Sequence, residues 1–370
     1  MIQKRNLAVA AIAVAAMLLL VILVARQDYP RRGSGDAELW LPELKSSLSE
    51  LGQVRIRSST ESVTLVRDGE QWGIAERDNY PLDFGRLEEM LTALASARRV
   101  EQKTSRAEYF DRLGLDDIEN PDSKAILVEL WTEADEPSYR LMVGNEAEVR
   151  NGRYVRDASG TQTWLIDQSP QPVAGPTDWL DRSLLGVDFG RVARVTREPA
   201  AAEGFVAARA RPEEPNLALE ALPAGKRLKY AGVLDSAARA LLTASIEDVA
   251  RADSIESADA EGSLTVIECF DGLRIEVTAI KRDEGNWIRV LLNVQEPLAP
   301  GEDETPEDGG NAGKAAPAID PQTDVARLSS RLDGWVFKVS DYVYGEVSKG
   351  LEAYLEDDVP EAAPESDDDK

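Results

Sequence analysis

Val63-Thr64-Leu65-Val66, Asp68-Gly69 and Trp72-Gly73-Ile74 together decide how this chain is read. Two apolar runs flank an Asp-Gly pair, the residue pair that best tolerates the positive φ angles of a tight hairpin turn. The segment therefore predicts an antiparallel hairpin. Upstream, Val54 and Ile56 extend the strand pattern, and residues 39–51 have helical spacing with Pro42 near their start. Downstream, Tyr80-Pro81-Leu82-Asp83 leads into a helix, with Asp83 as its cap and Leu87, Met90, Leu91 and Leu94 on one face. More strands are expected at 125–131, 139–143, 153–156 and 163–166, with a turn at Asn151-Gly152, and a short helix at 179–185.

The order then starts again. Residues 192–195, 205–209 and 217–219 read as strands, and Gly232-Val233-Leu234-Asp235 introduces a helix through Ala238, Leu241 and Leu242. Residues 264–270, Asp271-Gly272, 273–279 and 287–292 repeat the hairpin, so that the order strand, hairpin, helix, meander occurs twice, offset by roughly 140 residues. The expected fold class is α+β: an N-terminal transmembrane helix, then two similar, duplicated α+β units with hairpin-rich antiparallel sheets. The expected boundaries are an anchor (1–28), a neck (29–47), a first unit (48–188) and a second unit (189–296). A disordered acidic linker (297–326), a strand and helix completing the second unit (327–356), and an acidic disordered tail (357–370) follow.

The chain has 370 residues, 42 basic against 68 acidic, and a formal charge of −26. A surface that negative repels phosphate backbones, so nucleic acid is not an expected partner. Histidine is absent, which removes the usual zinc, copper and haem ligand and the usual base of serine and cysteine hydrolases. The single cysteine, Cys269, cannot form an internal disulfide and lies in an apolar strand-like run, where a buried, inert thiol is expected.

Residues 7–25 contain no polar or charged side chain. About nineteen residues at roughly 1.5 Å rise just span a hydrocarbon core of about 30 Å. A cleavable signal would have a shorter apolar region and a small-x-small site, and Val24-Ala25-Arg26-Gln27 offers a poor one. The reading is an uncleaved single-pass anchor in the inner membrane. Lys4 and Arg5 place the N-terminus inside; the short N-terminal flank and acidic remainder place the body on the periplasmic, extracytoplasmic side.

Catalytic patterns are not found. Paired carboxylates mean little in so acidic a chain, and neither acidic stretch has the spacing of a calcium loop. Gly225-Lys226 lacks the other elements of a phosphate loop, and there is no G-x-S-x-G elbow or S-x-x-K pair. No catalytic, cofactor-binding or metal-ligating residue is assigned, and the chain is read as non-enzymatic. Trp72, Trp131, Trp164, Trp287 and Trp335 fall in strand-like runs and read as core, leaving Trp40 and Trp179 as candidate surface contacts. Strand edges and a cleft between the repeats offer places for β-augmentation.

Several of these motifs occur together in a known pattern. Trp72-Gly73-Ile74, Tyr80-Pro81, Leu113-Gly114-Leu115, Leu141-Met142-Val143-Gly144, Tyr154-Val155, Asp178-Trp179-Leu180-Asp181-Arg182, Gly232-Val233-Leu234-Asp235 and Trp335-Val336-Phe337-Lys338-Val339 resemble the bacterial domain-of-unknown-function family 4340. That resemblance implies an accessory or scaffold subunit of an envelope ABC-type transport system of the gliding-auxiliary kind. Its implied partners are ABC permease or ATPase subunits and the membrane, through residues 7–25. It supplies no functional residue to carry over. The alternative is an extracytoplasmic module binding glycan or peptide.

Overall fold

The computed structural model describes residues 38–132, 135–148, 151–254, 262–282, 285–298 and 320–358. The first half forms a nine-stranded antiparallel sheet. Its strands are β1 (Gln53–Arg57), β2 (Ser62–Asp68), β3 (Gln71–Ile74) and β4 (Tyr80–Pro81); after helix α1 (Phe84–Ser96) come β5 (Arg99–Gln102), β6 (Ile126–Trp131), β7 (Tyr139–Glu146), β8 (Arg153–Asp157) and β9 (Thr163–Ile166). In space they run β4-β3-β2-β1-β6-β7-β8-β9-β5.

The second half contains β10 (Val192–Glu198), β11 (Phe205–Ala208), β12 (Ala218–Leu219), β13 (Lys226–Leu228) and helix α2 (Asp235–Leu242). These are followed by β14 (Ile246–Arg251), β15 (Leu264–Cys269), β16 (Leu273–Arg282) and β17 (Gly285–Val294). Helix α3 (Pro321–Leu332), β18 (Trp335–Val339), helix α4 (Asp341–Ser348) and β19 (Leu355–Asp357) complete it. The eight-stranded sheet runs β12-β11-β10-β15-β16-β17-β18-β14, and β13 pairs with β19 apart from it. With β4 left aside, replacing β1–β3 by β10–β12, β5 by β14 and β6–β9 by β15–β18 converts one strand order into the other. The helix lies at the equivalent point of each half, just before β5 and β14.

This corrects the expected α+β class. Among the described residues strand accounts for 37% and helix for 25%, and large antiparallel sheets dominate. The hairpins are long and continuous, whereas the helices are few and short beside them. The expected N-terminal transmembrane helix is likewise unsupported. No helix among the described residues is long and apolar enough to cross a membrane, and residues 1–37 lie outside them.

Local chemistry explains most elements. Gly69 and Gly272 turn their hairpins at φ of 61° and 91°. Asp83 accepts a hydrogen bond from the Arg86 amide (3.2 Å) and caps α1, whose Leu87, Met90, Leu91 and Leu94 are buried on the sheet. Each such side chain contributes about 1.5–3 kcal/mol relative to exposure. Two helix expectations fail. Residues 180–185 are extended beyond a single 3₁₀ turn at Pro176–Trp179, because Leu180 and Ser183 form bridges with Leu82 and Ser245. Conversely, α3 begins inside the expected linker, with Asp320 capping it and Pro321 in its first turn. Residues 299–319 and 359–370 lie outside the described residues.

Candidate functional site

An open groove of about 900 Å³ runs along α1, between that helix and residues 168–171. A second hollow of about 480 Å³, lined by Leu39, Leu48 and Ala95, continues it and shares Thr92, Ser96 and Gln168 with it. Most polar groups of the groove are already engaged. The Ser96 hydroxyl donates to the Thr92 carbonyl (2.7 Å), and Asp83 caps α1. Arg86 donates to the Asp178 carbonyl (3.0 Å) and stacks over the Trp179 ring (5.6 Å). The exposed carboxylates Glu88 and Glu89 also line it. Among the described residues no three His, Cys, Asp or Glu side chains are grouped to hold a metal ion.

The two candidate surface tryptophans are not surface residues. Trp40 is 5% exposed and Trp179 fully buried. The Trp40 backbone amide donates to the Ala97 carbonyl (2.8 Å), and the Trp179 indole donates to the Val173 carbonyl (3.0 Å). The expected cleft between the halves is also filled. Tyr80 meets Trp335 edge-on at 4.9 Å there. On the outer side of β5, Leu39 bridges to Arg98.

Sequence reading missed an ion ladder that occurs once in each sheet. Glu129 on β6 lies opposite Arg55 of β1 and Arg140 of β7 in register. Its carboxylate meets Arg57 at 3.3 Å and Arg140 at 3.0 Å, while Arg55 stacks on Trp131. Glu268 on β15 lies opposite Arg194 of β10 and Arg274 of β16, at 3.7 and 3.1 Å. The only linear signal is the likeness of Val128-Glu129-Leu130-Trp131 to Ile267-Glu268-Cys269-Phe270.

Beyond the first ladder the outer sheet face is covered by the connection between β5 and β6. Phe110, Leu115 and Ile118 pack on Leu127 and Met142. Gly114, at φ 66°, turns this cover, and Gly144 admits it: a Cβ at Gly144 would stand 2.3 Å from the Leu113 carbonyl oxygen. Arg156 closes the contact, donating to the Leu115 carbonyl (3.1 Å), pairing with Asp117 and stacking on Phe110. The Leu113-Gly114-Leu115 and Leu141-Met142-Val143-Gly144 motifs thus meet face to face.

Residues 72–262 match the family described as a domain of unknown function, DUF4340, over just more than half of the chain. The chain belongs to that family. No curated protein and no solved structure matches it. The DUF4340 match runs from β3 to just before β15, so it spans the passage from the first sheet into the second. Its motif residues hold the scaffold together. In Gly232-Val233-Leu234-Asp235, for example, Asp235 accepts from the Leu217 amide (2.9 Å) and lies 3.8 Å from Arg239, which stacks on Phe189. Arg209 stacks on Phe189 as well and on Phe270, and donates to several backbone carbonyls. Nearby, burial first and the Asp271 charge second push the Cys269 thiol up to about 12, leaving it protonated at neutral pH.

Proposed function

We propose that this DUF4340 chain is a non-enzymatic accessory subunit of an envelope ABC-type transport system. In this reading it is attached through the apolar residues 7–25, with its double-sheet body on the extracytoplasmic side of the inner membrane. The observation that carries the proposal is the use made of the motif residues. Gly144, Gly114, Trp179 and Asp235 serve backbone approach, turning, packing and the tying of the Leu217 amide to α2, and none of them is presented to the α1 groove as a reactive group. The groove itself is long, open and rimmed by Glu88 and Glu89, a shape that favours a protein segment over a small substrate.

Affinity purification of the full chain from native membranes in a gentle detergent tests this reading. ABC permease or ATPase subunits should be recovered with it, and recovery of the chain alone as a monomer contradicts it. Of the alternative ligands, a peptide retains the groove as a place to bind. A glycan loses the aromatic platform expected of it, because Trp40 and Trp179 are buried.

A further inference from the structure

We infer that α3 and β18 form a clasp that couples the two sheets, so that a disturbance in one is transmitted to the other. Tyr80 lies in β4, at the edge of the first sheet, and is 1% exposed. Its ring meets Trp335 at 4.9 Å and Phe337 at 6.3 Å, both edge-on and both on β18. β18 is an interior strand, paired with β17 on one side and β14 on the other. Withdrawing Tyr80 therefore uncovers a paired strand, the one next to the β14 edge of the second sheet.

Two ion pairs flank this aromatic contact. Arg77, just before β4, pairs in bidentate fashion with Asp248 of β14 at 2.5 and 3.0 Å. Arg331 at the end of α3 meets the Asp181 carboxylate (2.8 Å) and donates to the Ser183 carbonyl (2.8 Å), in the segment joining the sheets. The first sheet is thus held by two neighbouring strands of the second, β14 and β18, and by the helix that leads into one of them. Both ion pairs are partly exposed and contribute modestly, so the buried ring dominates the coupling.

Hydrogen exchange on the full chain tests the clasp through Tyr80→Ser, with Tyr80→Phe as the control that keeps the ring. Tyr80→Ser should speed exchange roughly tenfold or more in β18 and β14 as well as in β3 and β4, while Tyr80→Phe leaves β14 and β18 near wild type. Acceleration confined to residues 71–83 overturns the inference. Should Tyr80→Ser not fold, Arg77→Gln decides. A smaller acceleration on both sides of the junction supports the clasp, and acceleration on the first-sheet side alone, or no change, removes it.

Discussion

The two sheets follow one course, yet their outer faces have been put to different uses. In the first, positions beside the ladder are apolar or small: Leu127, Met142 and Gly144 receive Phe110, Leu115 and Ile118. Counting from the shared glutamate and arginine, the second sheet has Val266, Glu276 and Thr278 there, and no comparable cover lies on it among the described residues. Opposite Met142 stands Arg156, tied into the cover; opposite Glu276 stands Leu291, 37% exposed. Strand course and ladder are common to both halves, whereas face chemistry tracks whether the chain covers the face. A β-branched residue at the Gly144 position would collide with the cover, and an uncovered face tolerates one.

The ladders give the largest expected effect. Glu129 is 4% exposed and holds two partly exposed arginines, so Glu129→Ala should cost about 3 kcal/mol by removing its charge-assisted hydrogen bonds to them. The more accessible Glu268 should cost about 1 kcal/mol on the same change. Urea unfolding of both variants measures the gap, and equal losses would break the contrast between a covered and an open face.

Gly144→Thr places the second sheet's residue in the first. The clash with the Leu113 carbonyl should cost about 2–3 kcal/mol, with hydrogen exchange quickening at 110–118 before it does elsewhere. Unchanged exchange there would show that the glycine is not what admits the cover.

Asp324 on α3 concerns the second sheet alone. Burial raises its carboxyl, but hydrogen bonds from Arg191 and Arg327 more than reverse this and hold it below the ordinary value of 3.8. A lowered carboxylate contributes stability above its unfolded value and loses that contribution as pH falls through the folded one. Asp324→Asn should therefore cost about 2 kcal/mol at neutral pH, and the gap to wild type should close as pH falls below 3.8. A gap that stays constant down to strongly acidic pH contradicts the pairing. Smallest of all, Cys269 should not react with thiol reagents until the chain unfolds, as its burial and raised pKa require.

The parts legible in the sequence were those set by local chemistry. Asp68-Gly69 and Asp271-Gly272 mark turns because their backbone conformation restricts the residues allowed, and α1 announces itself through Asp83 and a single apolar face. Helix α3 was hidden because the acidic, Pro-rich composition of the preceding residues masked Val325, Leu328 and Leu332, whose spacing is helical. The overall class was misjudged because two helices at the right places say nothing about how much of the remainder is strand. Trp40 and Trp179 looked available because neither lies in a strand-like run, but both rings are buried, Trp179 with its indole bonded to the Val173 carbonyl. The ladders and the cover depend on strand register and on contacts between distant segments, which periodicity cannot supply.

Disulfide trapping tests the shared strand course most directly. In full-length protein carrying Cys269→Ala, the pairs Arg55→Cys with Glu129→Cys and Arg194→Cys with Glu268→Cys should each close under mild oxidation, because each joins directly opposed residues of neighbouring strands. Closure of one pair without the other, or preferential closure of a pair set one residue out of register, would contradict the equivalence of the two sheets.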